Sequence, residues 1–92
     1  MGRKSLAEKF YDETAIDQEI GSWLVLYKFK DVKPNTKFWS NLTRVIALTG
    51  GDADMRGVFR TNSKRGALTV LKIVKHYNGE SSLYKVEEVK GI

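Results

Sequence analysis

Between Met55 and Gly79 the chain carries no Asp or Glu but six cations: Arg56, Arg60, Lys64, Arg65, Lys72 and Lys75. A block of this kind does one chemistry readily, which is to hold phosphate by charge. It attracts a polyanion over a Debye length of roughly 8–10 Å in ordinary salt. Two placements would concentrate that charge. The first is Thr61-Asn62-Ser63-Lys64-Arg65-Gly66, where a helix capped by Asn62 or Ser63 would aim free N–H groups and its positive dipole end at an anion beside Lys64 and Arg65. The same residues also read as an ordinary capped loop with two exposed cations. The second is a sheet face on which Arg56 and Arg60 flank Val58 while Tyr27 or Lys28 adds stacking or charge. Aromatic side chains beside Arg on an open sheet hold single strands, each stacked base contributing about 1–3 kcal/mol. Trp23, Tyr27 and Phe29 equally suit a core.

Other chemistry finds little purchase. His76 is the sole histidine, and no spacing pairs it with a nucleophile or a carboxylate. Its neighbours Lys72 and Lys75 mark it as a surface residue. Asp52 and Asp54 alternate as cation ligands sometimes do, and they also suit turn chemistry after Gly50-Gly51. Glu87-Glu88 reads as a solvated strand edge. With 0 Cys there is no disulfide, thiolate metal site or cysteine nucleophile. The glycines are not spaced for a phosphate loop or dinucleotide fingerprint. The expectation is therefore no catalytic residue, no metal and no cofactor.

The elements that must position these groups are few, because 92 residues support one modest core. At 41% hydrophobic and 29% charged, with 1 Pro, the composition is that of a folded globule. Net charge is +5, unevenly placed: residues 1–21 hold 3 basic and 5 acidic residues, and residues 22–92 hold 13 basic and 6 acidic. We therefore divide the chain into an acidic N-terminal helical arm, 1–21, and a single basic domain, 22–92. No apolar run approaches the roughly 20 residues of a membrane span. No secretory signal pattern opens the chain, and a cytoplasmic protein without membrane contact is expected.

Ser5-Leu6-Ala7-Glu8 matches a capping box, and Leu6 and Phe10 follow at helical spacing. Thr14-Ala15-Ile16-Asp17 repeats that signature, so the arm reads as one or two short helical turns. Ser22 to Lys30 is a strand, with Trp23, Val25, Tyr27 and Phe29 on one face and Leu24, Leu26, Lys28 and Lys30 on the other. Apolar residues on both faces at its start predict a central strand covered on both sides there. Pro34-Asn35-Thr36 opens a helix whose stripe is Phe38, Leu42, Val45, Ile46 and Thr49, ended by Gly50-Gly51. Met55 to Thr61 returns to period two, and Ser82 to Val89 reads as a last strand. The stretch 63–78 fits a helix with Ala67, Val70, Leu71, Val74 and Tyr77 on one face. It also fits a strand entering a hairpin at Asn78-Gly79. Three features favour the helix: Lys72, Lys75 and His76 gather on its far side, a helix-glycine-strand unit recurs 28 residues apart, and the whole becomes a βαβαβ sandwich.

A hydrophobic strand, an aromatic-rich first helical turn, a Gly pair and then Met55-Arg56-Gly57-Val58-Phe59 together resemble the small CRISPR-associated Cas2-like proteins and their toxin relatives, over about residues 22–90. The resemblance implies an α/β (α+β) ferredoxin-like fold. In that family the first strand ends in a Tyr-Asp pair whose Asp serves a metal-dependent nuclease. Here Tyr27 is followed by Lys28, and Asp31 stands three residues late, so the resemblance implies a dimerising, nucleic-acid-associated scaffold without that metal site. The expected function is a non-catalytic nucleic-acid-binding module, homodimeric, holding phosphates with Arg56, Arg60, Ser63, Lys64, Arg65, Lys72 and Lys75. The alternative is an assembly adaptor acting through the acidic arm or an edge strand. A third reading is a metal-dependent ribonuclease using Asp31, Asp52 or Asp54.

Overall fold

Ser5 opens the first helix as its sequence requires. Its hydroxyl caps α1 (Leu6–Glu13) by accepting the Glu8 N–H at 3.1 Å, and it donates to Glu8 Oε1 at 3.3 Å. Thr14 does not start a second helix. Its backbone is extended, its N–H returns to Phe10 O and Tyr11 O, and its hydroxyl donates to Phe10 O at 2.7 Å, so it ends α1 instead.

The chain continues as β1 (Ser22–Lys28), α2 (Thr36–Thr49), β2 (Val58–Thr61), α3 (Lys64–His76) and β3 (Glu80–Val86). These come from a computed structural model that describes residues 5–16, 18–19, 21–29, 36–53 and 57–87. Among them no helix is long and apolar enough to cross a membrane.

Segment 63–78 is a helix because its apolar residues recur at three and four, burying Ala67, Val70, Ile73 and Val74 completely on one side. Ser63 Oγ caps it by accepting the Gly66 N–H at 3.1 Å. Asn78 at φ 64° stops it, with the Gly79 N–H reaching back to Val74 O at 2.9 Å. The Asn-Gly pair is thus a helix terminator and not a hairpin turn. Gly66 allows α2 and α3 to close on each other, since a Cβ there would lie 2.8 Å from Thr49 Cγ2.

Among the described residues the sheet has three strands in the order β2-β1-β3, with β1 central and antiparallel to both neighbours. The βαβαβ order is therefore present, but the parallel pairing of a ferredoxin-like βαβ unit is not. The reason lies after α2. Asp52 runs along the outer edge of β2, exchanging backbone hydrogen bonds with Arg60 at 2.7 and 2.8 Å. By Gly57, at φ 82°, the chain has reversed, and β2 enters between that segment and β1.

All three helices lie on one face of the sheet. Trp23, Val25 and Tyr27 of β1 and Phe59 and Thr61 of β2 point into the core, meeting Phe38, Leu42, Val45, Val70, Ile73 and Val74. Each large apolar side chain buried this way contributes about 1.5–3 kcal/mol before chain entropy is counted. β1 is central as expected, but no described helix lies on the other face, where Leu24 is half-buried and Leu26 remains 39% exposed instead of covered.

Candidate nucleic-acid interface

The N-terminus of α3 carries the first expected anion site, and the protein's own arm sits across it. Arg65 lays its guanidinium 3.9 Å from the centre of the Tyr11 ring and donates from Nε to Tyr11 O at 3.0 Å. Lys72 Nζ donates to Thr14 Oγ1 at 2.9 Å. Lys64 and Lys85 bind the two oxygens of Glu19 at 3.1 and 2.7 Å, and these hydrogen bonds, Lys85 foremost, hold that carboxyl below the ordinary glutamate range. Glu8 pairs with Arg44 of α2 at 3.1 Å. Ser63 is committed as the cap. Of the residues expected to hold phosphate, Ser63, Lys64, Arg65 and Lys72 thus face internal partners, while Lys75 is exposed at the end of α3. His76 is exposed as expected and packs edge-on against Phe10 and Tyr77 at 5.7 and 4.9 Å. Arg56, Asp31 and Asp54 lie outside the described residues, and among those described no three His, Asp or Glu gather as metal ligands.

The second expected site takes clearer form. Strand register aligns side chains across the helix-free face in rows: Arg60, Leu24 and Tyr84; Val58, Leu26 and Ser82; Lys28 and Glu80. With strands about 4.8 Å apart, the first row sets an arginine and an aromatic about 10 Å from each other with a leucine between. Tyr84 is 49% exposed. Arg60 reaches Asp52 at 3.8 Å and Lys28 reaches Glu80 at 3.7 Å, both surface pairs of the sort worth at most about 1 kcal/mol. At the Lys28 end a shallow depression of about 310 Å³ is lined by Leu26, Tyr27, Lys28, Glu80, Ser81 and Ser82.

Arg60, Val58 and Lys28 therefore share a face as expected, but Tyr27 does not join them. Tyr27 is buried on the core side, where burial pushes its phenol above the ordinary tyrosine range, opposed in part by the Gly57 backbone. The aromatic on the open face is Tyr84, which no motif in the sequence marks. Its alternation with Leu83 was the available signal, but which of the two faced outward depended on where the helices packed.

Fold and site together define a two-layer α+β domain, with helices on one side of a three-stranded antiparallel sheet and an open face bearing Tyr84, Arg60 and Lys28. No family model matches the chain, and neither a curated protein nor a solved structure does.

Proposed function

We propose that the protein is a non-catalytic nucleic-acid-binding module that holds a single strand on its open sheet face. The supporting observation is the row Arg60–Leu24–Tyr84 across three strands, beside Leu26, Val58 and Lys28. A base stacks on Tyr84, the apolar middle strand excludes water beneath it, and Arg60 and Lys28 exchange weak carboxylate partners for phosphates. The cations of α3 take a different part in this reading: Lys64, Arg65 and Lys72 secure the arm. The adaptor reading through the acidic arm draws less support, because Glu8 and Glu19 are engaged by the body of the same chain.

Binding of labelled single-stranded DNA and RNA, compared among variants, tests the assignment. Tyr84→Ala should weaken binding by about 5- to 150-fold, the loss of one stacked base. Arg60→Glu should weaken it further. Lys64→Glu with Arg65→Glu should loosen the arm and leave affinity within about twofold. The reverse pattern, loss at Lys64 and Arg65 with indifference at Tyr84, moves the site to the start of α3. No binding by the unaltered protein in low salt removes the function.

A further inference from the structure

We propose that β3 pairs antiparallel with β3 of a second copy of this chain, joining two sheets into one of six strands and bringing two Tyr84 side chains together on its open face. The two outer edges of the sheet differ. That of β2 is four residues long and already occupied at its centre, where Arg60 exchanges both backbone hydrogen bonds with Asp52. That of β3 is seven residues long, and no described segment pairs with its outer side. An edge of this length holds out a row of backbone donors and acceptors that pair readily with another strand.

The residues of β3 suit their own copy. Pairing all seven residues with all seven centres the dyad on Leu83. It sets Glu80 opposite the partner's Val86, Ser81 opposite the partner's Lys85 and Ser82 opposite the partner's Tyr84. No like charges oppose one another. Leu83, partly buried on the helix side, meets its twin. A shift by two leaves two residues of each strand unpaired, and a shift by one turns the open face of one copy toward the helix side of the other. On the open face the two Tyr84 residues become diagonal neighbours, roughly 7–8 Å apart at Cα and within reach of each other's rings. Each is flanked outward by its own Leu24 and Arg60. The stacking surface is then half supplied by the partner. That last step rests on the reading of this face as the nucleic-acid surface; the strand pairing does not.

Because the chain has 0 Cys, a single introduced thiol reports the register. Leu83→Cys places two thiols directly opposite, with Cα atoms about 4.5–5.5 Å apart and inside the disulfide range. Ser82→Cys places them diagonally and beyond it. Mild oxidation should convert the Leu83→Cys chain to a covalent dimer and leave Ser82→Cys as single chains; equal cross-linking of both, or of neither, overturns the pairing. Sedimentation gives a readout that does not depend on Leu83. The unaltered protein should show twice the 10.5 kDa chain mass. Val86→Glu, facing the partner's Glu80, should raise the dimer dissociation constant about tenfold, whereas Val86→Lys should not. Single-chain mass for both the unaltered protein and Val86→Lys overturns the proposal. A dimer that binds no oligonucleotide refutes the functional reading alone, and a monomer that binds one through Tyr84 refutes the pairing alone.

Discussion

Asn41 joins α1, α2 and the end of α3 through one amide. Its Oδ1 accepts the Ala7 N–H at 2.9 Å, and its Nδ2 donates to Lys37 O at 2.8 Å and to Tyr77 Oη at 3.2 Å. Ala7 is fully buried, so truncating Asn41 leaves its N–H without a partner in a dry site. Asn41→Ala should cost about 1–3 kcal/mol, read as a lower urea midpoint with an unchanged m-value. A loss under about 0.5 kcal/mol would mean that water replaces the amide. Asn41 also marks the limit of reading residues from sequence. Ser5 was legible as a cap, and Ser63 as one of two candidates beside Asn62, because each acts on a group three residues away. The partner of Asn41 lies 34 residues away; helical spacing sets Asn41 beside Phe38, Leu42 and Val45 on the buried side of α2, but nothing local says which group its amide meets there. Tyr84 was hidden for a related reason: alternation separates it from Leu83 but does not say which of the pair faces the helices.

The elements themselves were largely legible, since periods of two and of three to four are properties of consecutive residues. The strand faces of β1, the stripe of α2 and the helix at 63–78 all follow from them. Strand pairing was not legible, because it depends on the direction in which β2 returns after Asp52, and no periodicity in the intervening residues dictates that direction. The arm shows how charge directs an element. Residues 1–21 are acidic on balance, and their described part meets the basic start of α3, where Glu19 takes Lys64 and Lys85 at once. A carboxyl held below its unfolded range stabilises the fold above that range and loses this contribution as pH falls through the folded value. Stability should therefore drop as pH falls below about 4, the ordinary carboxylate range. Glu19→Gln should lack that part of the decline while being less stable near neutrality. Melting temperatures of the two proteins measured from neutral to acid pH check this, and parallel profiles would show that Glu19 contributes nothing to docking the arm.

For the molecule as a whole, the count of 16 basic residues overstates the cations available to a ligand. Lys64 and Lys85 meet Glu19, Arg44 meets Glu8, and Arg65 and Lys72 are drawn onto the arm. The basic block seen in the sequence is one stretch of chain but not one surface. β2 carries Arg60 to the open face, and α3 carries Lys64, Arg65 and Lys72 to the arm. This separation makes a quantitative prediction. A single strand that neutralises Z cations loses affinity with a slope of about −0.7Z in log K against log salt. Two contacts per chain, Arg60 and Lys28, give a slope of about −1.4, whereas all six cations of the 55–79 block acting together give about −4. A salt titration with a short oligonucleotide, expressed per bound chain, separates the two. The shallow slope should persist in Lys64→Glu and flatten in Arg60→Ala. A steep slope that collapses in Lys64→Glu would mean that the polyanion displaces the arm and takes its cations. The acidic arm would then be a competitor for the site rather than a part of the scaffold.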